Sequence, residues 1–391
     1  MGKEKINVLV IGVSLLDGMA SSVRVRNLTG PLIKDRSIGV RNLIYSVHRI
    51  GKPEKLELLE SVICKVIGFN TRNPFSAVRF LVDGCRFIKK SRSSKEKNVM
   101  YHYDYPDIKS IFFILYAKLI GYKIIIDLIE DNDFVTHYVS FMNRIRILSS
   151  RVFLKISPLV TDSYIAISNH LEKKLKTMTN RPVYLIPISV NLDFFGKGEP
   201  AGSKPDSIRI FYGGSFASKD GLDFLIAAFD QVCKQFDNVS LILTGRGLDC
   251  DMEAITSQIE LLESKNKIFF KGYLETDEYY SVMNGCDIFC MTRNKSLYAN
   301  AGFPFKLGEF LAVGKGVVAT KVGDVGNYLV SGENSLLIDS ESIEQLTEAI
   351  SFFIRNREQI KVMGYKARLT AEQNFDSDKL SRKLLGIFEA A

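Results

Sequence analysis

Two doubly wound parallel-sheet domains of the α/β class are what this sequence predicts, on three observations. Apolar runs of strand length alternate with helix-length stretches along the chain. The runs are continuously apolar, the pattern of strands covered on both faces. The alternation stops once, at the polar Gly- and Pro-bearing stretch GKGEPAGSKPDS (196–207), and then restarts. At 391 residues the chain is too long for one core. The expected organisation is a first domain over 1–195, a linker over 196–207 and a second domain over 208–372. A closing helix over 373–391 is expected to pack back on the first domain.

The first half is read as strands at 6–12, 42–48, 98–104, 122–130, 163–168 and 183–188, with helices including 74–90 and 169–178. After the linker, IRIFYGG, VSLILTG, KIFFKG, CDIFCMT and GVVAT are strands. Helices are expected near 222–236, 252–264, 277–285, 304–313 and 342–355.

Composition, 46% hydrophobic and 25% charged, is that of an ordinary globular protein. The longest dense apolar block, IFFILYA (111–117), is bounded by Lys109 and Lys118 and falls short of the ~18–20 residues that span a bilayer. The first segment resembles a signal peptide only superficially. Asn7 and Ser14 break it, and Asp17-Gly18 stands where a small-residue cleavage site belongs. A buried first strand and a cytoplasmic location are expected. Six cysteines without a C-x-x-C and four scattered histidines suggest neither zinc nor disulfides. Asp131-Asn132-Asp133 has the acidity for a divalent cation, but acidic loops after strands are common, and no metal or cofactor is expected.

Charge is unevenly placed. Residues 1–200 hold 31 Lys and Arg against 18 Asp and Glu, and 201–391 hold 21 against 26. The basic half implies an anionic partner: a membrane surface or a phosphate-bearing acceptor. It shows no basic–aromatic motif of the nucleic-acid modules, so no nucleic acid is expected. Residues 143–155 place Arg144, Arg151 and Lys155 near one another with Ile145, Leu148 and Val152 on another face. This fits a surface element on the inner face of a membrane, or a solvated helix packed on the sheet.

The stretch FPFKLGEFLAVGKGVVAT (303–320) holds two charges, Lys306 and Glu309, among residues suited to burial. A helix apolar nearly all round is a buried one, so the charges are expected at the edge of a pocket. A simple i, i+3 ion pair is the alternative, worth ~0.2–0.5 kcal/mol and weaker in the Lys-before-Glu order. Upstream, FYGGSFASKDGLDFL (211–225) runs from strand to helix with Gly214, Ser215 and Lys219, a loop suited to phosphate. In LTGRGLD (243–249), Gly245 and Gly247 permit close approach of a ligand to backbone.

In order and spacing, GGSFASKDGLDFLIAAF, LILTGRG, IFFKGYLETDEYYSVMNGCDIFCMTR, PFKLGEFLAVGKGVVAT and VGDVGNYLVSGENSLLI resemble the nucleotide-binding domain of the retaining family-four glycosyltransferases, the glycosyl transferases group 1 type. PISVNLDFF (187–195) and IAISNHLEKKL (165–175) resemble the family's segments more loosely. The resemblance implies a GT-B fold, its two Rossmann-like domains facing across a cleft, and metal-independent transfer from a nucleoside-diphosphate sugar with retention. Glu309 matches the glutamate that accepts from both ribose hydroxyls, and Lys219 the lysine on the diphosphate, with Lys306 placed to help. Backbone at Tyr273 and Leu274 is implied to hold the base, and Phe303 and Phe305 to reach the sugar and its phosphate. The sequence departs from the family at Ala301, where a second glutamate is usual, and at Asn327. It also lacks an arginine in 213–218, where Ser215 is the expected substitute.

The first domain is expected to hold a glycan or lipid-linked acceptor. Gly18, Arg24 and Arg26 in its first loop, His102 after the strand at 98–104, and Asp127 and Glu130 in DLIED (127–131) are the acceptor-side candidates. Surface-polysaccharide or glycolipid assembly is the expected setting. A nucleotide-sugar epimerase of the same fold and a non-catalytic nucleotide-sugar binder are the alternatives.

Overall fold

The computed structural model describes residues 5–16, 19–34, 37–46, 55–59, 61–68, 74–135, 140–195 and 207–391. Gly18 and linker residues 196–206 lie outside them. The chain divides into two compact units, Met1–Ser189 with Ser377–Ala391, and Val190–Asp376.

The first unit is built on eight strands: β1 (Ile6–Ile11), β2 (Ile38–Ser46), β3 (Lys55–Leu59), β4 (Val62–Gly68), β5 (Lys97–Tyr103), β6 (Lys123–Leu128), β7 (Ser163–Ala166) and β8 (Val183–Leu185). Their order is β3-β4-β2-β1-β5-β6-β7-β8, all pairs parallel except β3 with β4. β1 is buried along its whole length, including Asn7, whose amide donates to the Ser91 carbonyl at 2.7 Å and to Asn98 Oδ1 at 2.8 Å. The closing helix Ser377–Ala390 packs on helix Ala20–Lys34 of this unit. Ser381 Oγ donates to the Asn27 carbonyl at 3.2 Å, and Lys97 Nζ to the Glu389 carbonyl at 2.7 Å.

Three departures from what the sequence predicts stand out. β3 and β4 occupy a region where it placed no strand, and β2 starts at Ile38, four residues early. The cause is visible in β4, whose burial alternates at its start instead of running unbroken. The helix Arg357–Asn374 was also not anticipated. Among the described residues no helix is long and apolar enough to cross a membrane.

The second unit carries β9 (Ile208–Ser215), β10 (Val239–Arg246), β11 (Ile268–Phe270), β12 (Ile288–Met291), β13 (Gly316–Thr320) and β14 (Leu336–Ile338), ordered β11-β10-β9-β12-β13-β14 and all parallel. Its core joins Ile210, Leu241 and Cys290 of the sheet to Phe229 and Phe353 of the covering helices. The chain builds outward from β9 to β11, then returns to the other side of β9 for β12. The order therefore reverses between β9 and β12, and the loops leaving their carboxyl ends flank the position where open parallel sheets take ligands.

Candidate active site

At that edge two bare stretches of backbone meet. Gly214 at the end of β9 lies opposite Gly245 at the end of β10. Their φ angles are +138° and +136°, and a Cβ on Gly245 would sit 1.8 Å from the Gly214 carbonyl oxygen. Only glycine fits there. Over Gly214 lies Lys306, whose Cε is 3.1 Å from where a Cβ would project.

Lys306 occupies the first turn of helix Phe305–Val313, which begins after Pro304 and ends on left-handed Gly314. Its ammonium donates to the Tyr212 hydroxyl at 2.8 Å and pairs with Asp220 Oδ1 at 3.1 Å. Asp220, from the loop after β9, also accepts from Ser215 Oγ. The intrahelical pair with Glu309 is thus not the arrangement adopted. Both side chains are about nine-tenths buried. Burial alone would raise Asp220, but Lys306, Ser215, Arg293 and Lys219 hold it below the usual carboxylate range.

Glu309, one turn on, is partly buried and accepts two phenols: Tyr279 on Oε2 at 3.1 Å and Tyr280 on Oε1 at 3.3 Å. Ring packing holds these donors. Tyr280 stacks on Phe194 with centroids 4.7 Å apart, and Tyr279 meets Phe211 edge-on. Burial pushes Glu309 up to about 7, outweighing the two phenols and Lys306. Near neutral pH the empty site therefore holds a mixture of carboxylate and carboxylic acid. A carboxylate with one phenol on each oxygen still has lone pairs for two further donors.

Around this pair stand the other anticipated residues. Lys219 lies in the turn Ser218–Asp220 with its ammonium 4.5 Å from the Tyr298 ring centroid. Tyr273 is exposed beneath the Arg246 guanidinium, and Leu274 is partly buried. Phe303 is buried among Tyr328 and Phe375, so only its backbone is open to a ligand role, and Phe305 is partly buried. Ala301 is buried. The Asn300 amide donates to the Lys295 and Ser296 carbonyls and accepts from Gly323 N–H, so it holds its own loop together. Four participants escaped the sequence reading: Asp220, Tyr279, Tyr280 and Arg293. Tyrosines adjacent in a helix and a basic residue just past a buried strand were the available signals.

In the first unit the acceptor-side candidates separate. Arg24 and Asp127 are buried against each other, Nε–Oδ2 at 3.1 Å and Nη2–Oδ1 at 3.2 Å. Arg24 also donates to the Ile186 and Pro187 carbonyls, and Asp127 accepts from the Tyr101 hydroxyl. These two residues tie the fold together and have no face left for an acceptor. His102 is buried, its Nδ1 2.8 Å from the Asp104 carbonyl, and desolvation lowers it to about 4. Its Nε2 has no hydrogen-bond partner among the described residues. Arg26 and Glu130 are partly buried. Asp131 and Asp133 are engaged by Lys174, and Asp131 also by His170 at 2.8 Å. Among the described residues no group of three or more His, Cys, Asp or Glu is placed to hold a metal.

Residues 197–370 match the family model described as Glycosyl transferases group 1. An uncharacterized glycosyltransferase of Methanocaldococcus jannaschii is 28% identical over 222 residues, 56% of each chain. This chain spans about half the length of the curated relatives it matches. Among solved structures, sucrose-phosphate synthase from Thermosynechococcus elongatus superposes with a TM-score of 0.78 at 14% identity, covering 99% of this chain and 98% of that one. Anabaena HepE in complex with UDP-glucose gives 0.74 at 16%, covering 98% and 99%. At these identities the likeness establishes the GT-B fold.

Proposed function

Because residues 197–370 match the glycosyl transferases group 1 model and solved glycosyltransferases share the fold, we propose that the chain belongs to that family and moves a sugar from a nucleoside-diphosphate sugar to an acceptor hydroxyl, with retention and without a metal. The observation that carries this reading is the Glu309 carboxyl fixed by two phenols beside the Lys306–Asp220 pair, at the strand ends where the second sheet reverses. In this scheme the two Glu309 oxygens accept from the ribose hydroxyls. Backbone at Tyr273 and Leu274 meets the base. Lys306 and Lys219 face the diphosphate, and backbone near Phe303 and Phe305 meets the sugar and its phosphate. As the sugar C1–O bond breaks, the electron pair leaves on the diphosphate, whose growing charge the two ammonium groups stabilise. The acceptor oxygen bonds to C1, and its proton passes to the departing phosphate, the base that the donor itself brings.

A membrane-bound acceptor is supported by the surface of the first unit. Helices Ile108–Leu119 and Phe141–Ile156 expose Phe112, Leu119, Phe141, Met142 and Val152, with Arg144, Arg146 and Lys155 exposed on the second helix. Arg151, expected among those cations, turns inward to the Asn132 and Val135 carbonyls. Apolar side chains interleaved with cations fit an anionic bilayer surface. Pelleting with phosphatidylglycerol vesicles but not phosphatidylcholine vesicles is expected, and equal pelleting with both would count against it.

The function is tested by calorimetric titration with UDP, GDP and ADP and their sugars. Binding of at least one is expected, with slow release of free sugar from the bound donor. Absence of binding to all of them overturns the reading. Conversion of the donor to an epimer without acceptor would identify an epimerase instead.

A further inference from the structure

One charged side chain of the second unit is buried with part of its hydrogen-bonding capacity unused among the described residues. Arg293 stands two residues past the end of β12, beside β9 where the strand order reverses. It is only 6% exposed, yet Nε and Nη1 are buried without a hydrogen-bond partner among the described residues. Guanidinium nitrogens stripped of water and left without hydrogen bonds are costly, and such groups persist where a ligand completes them.

The surroundings say which ligand. The Arg293 carbonyl is clamped by the Thr320 hydroxyl at 2.7 Å and the Ser340 hydroxyl at 3.2 Å. On either side the loop is stitched to the one after β9. Thr292 Oγ1 donates to the Asp220 carbonyl at 2.9 Å, and Asn294 N–H to the Lys219 carbonyl at 2.9 Å. Arg293 is thereby held near Lys219, Asp220 and Lys306, and its charge acts on both Asp220 and Lys306. Asp220 is already engaged by Lys306 and Ser215. Three cations thus surround one carboxylate, an excess that a diphosphate neutralises. The planar fork of a guanidinium suits two phosphate oxygens as an ammonium does not.

We propose that Arg293 binds the diphosphate of the donor directly, as the guanidinium of a site whose two other cations are Lys219 and Lys306. The proposal rests on the nucleotide-sugar reading of this site and adds a residue to it. It also explains how the loop 213–218, which carries no arginine, serves a phosphate: the guanidinium arrives from the loop after the neighbouring strand.

The test titrates wild type, Arg293→Met and Arg293→Lys with inorganic pyrophosphate, with UDP, GDP and ADP, and with the matching nucleosides. Thermal melting of each empty protein is recorded alongside. Arg293→Met is expected to weaken nucleoside diphosphate and pyrophosphate binding about 10- to 100-fold, with nucleoside affinity unchanged. Arg293→Lys is expected to recover part of the loss. Since Nε and Nη1 of the wild-type guanidinium lack hydrogen bonds among the described residues and the group lies near two further cations, the empty Met variant should melt at the same temperature or higher. Unaltered diphosphate affinity in the Met variant overturns the proposal. So does a lowered melting temperature with nucleoside and diphosphate binding reduced alike, the signature of a structural arginine. If the wild type binds none of the nucleoside diphosphates, the functional reading falls first and the proposal with it.

Discussion

Each unit buries an arginine near the carboxyl ends of its strands, and the two are treated in opposite ways. Arg24 is 1% exposed, and both Asp127 oxygens and the Ile186 and Pro187 carbonyls take up its donors. Arg293 is nearly as buried and leaves Nε and Nη1 without a hydrogen-bond partner among the described residues. The carboxylates divide in the same way. Asp127 is inaccessible and fully engaged, whereas Glu309 is partly open, titrates near 7 and keeps lone pairs free. A charge in apolar surroundings marks burial. Function resides in the hydrogen-bonding capacity left over once the fold has taken its share.

The comparison breaks most visibly at the saturated pair. Arg24→Ala leaves the buried Asp127 without its cation and with only the Tyr101 hydroxyl as a side-chain partner, and should lower unfolding stability by about 3–5 kcal/mol in urea titration. The nucleotide affinity of the remaining folded protein should not change; a selective loss of affinity would make Arg24 a ligand after all. Next in size, Lys306→Met should weaken nucleoside diphosphate binding about 10- to 100-fold, the effect of removing one charge-assisted contact. Wild-type affinity in that variant would take Lys306 out of the site.

A smaller effect sharpens the contrast through pH. Ribose hydroxyls donate, so they favour the ionised form of Glu309, which in the empty site titrates at about 7. Donor affinity should therefore climb as pH rises through 7 and level off above it. Glu309→Gln should lose that component, after allowance for titration of the ligand phosphate. Stability of the empty protein runs the other way. The Glu309 pKa is raised on folding from 4.5 to about 7, so its contribution is full below pH 4.5 and is lost as pH climbs through 7. Smallest of all, Tyr279→Phe removes one of two phenols and should shift the midpoint of the affinity profile upward, with a stability change within about 1 kcal/mol. An unmoved midpoint would mean that the phenol does not act on the carboxyl.

How far these features could be read in the residues differs by feature. The helix Asn169–Met178 was bounded correctly because its apolar period is regular and Ser168 caps it, accepting from Leu171 N–H. The strands β9, β10, β12 and β13 were legible as unbroken apolar runs. β4 was not, because its alternating start lacks that signature. Within the site, the burial around Lys306 and Glu309 was legible from the apolar neighbours on their helix, but their partners were not. Asp220, Tyr279 and Tyr280 lie 86, 30 and 29 residues away from the charges they meet, and only the sheet order brings them together. The sequence also gave Arg24 and Asp127 a ligand-binding part, since a basic first loop and an acidic strand end look alike whether they meet a substrate or each other.

The central claim, that Glu309 holds the ribose of a nucleotide donor, is tested most directly by comparing a nucleoside diphosphate with its 2′,3′-dideoxy analogue on wild type and on Glu309→Ala. The wild type is predicted to prefer the ribonucleotide by about 10-fold or more, as two charge-assisted hydrogen bonds require, and the variant to bind both equally. Retention of the full preference by Glu309→Ala, or no preference in the wild type, would contradict the account.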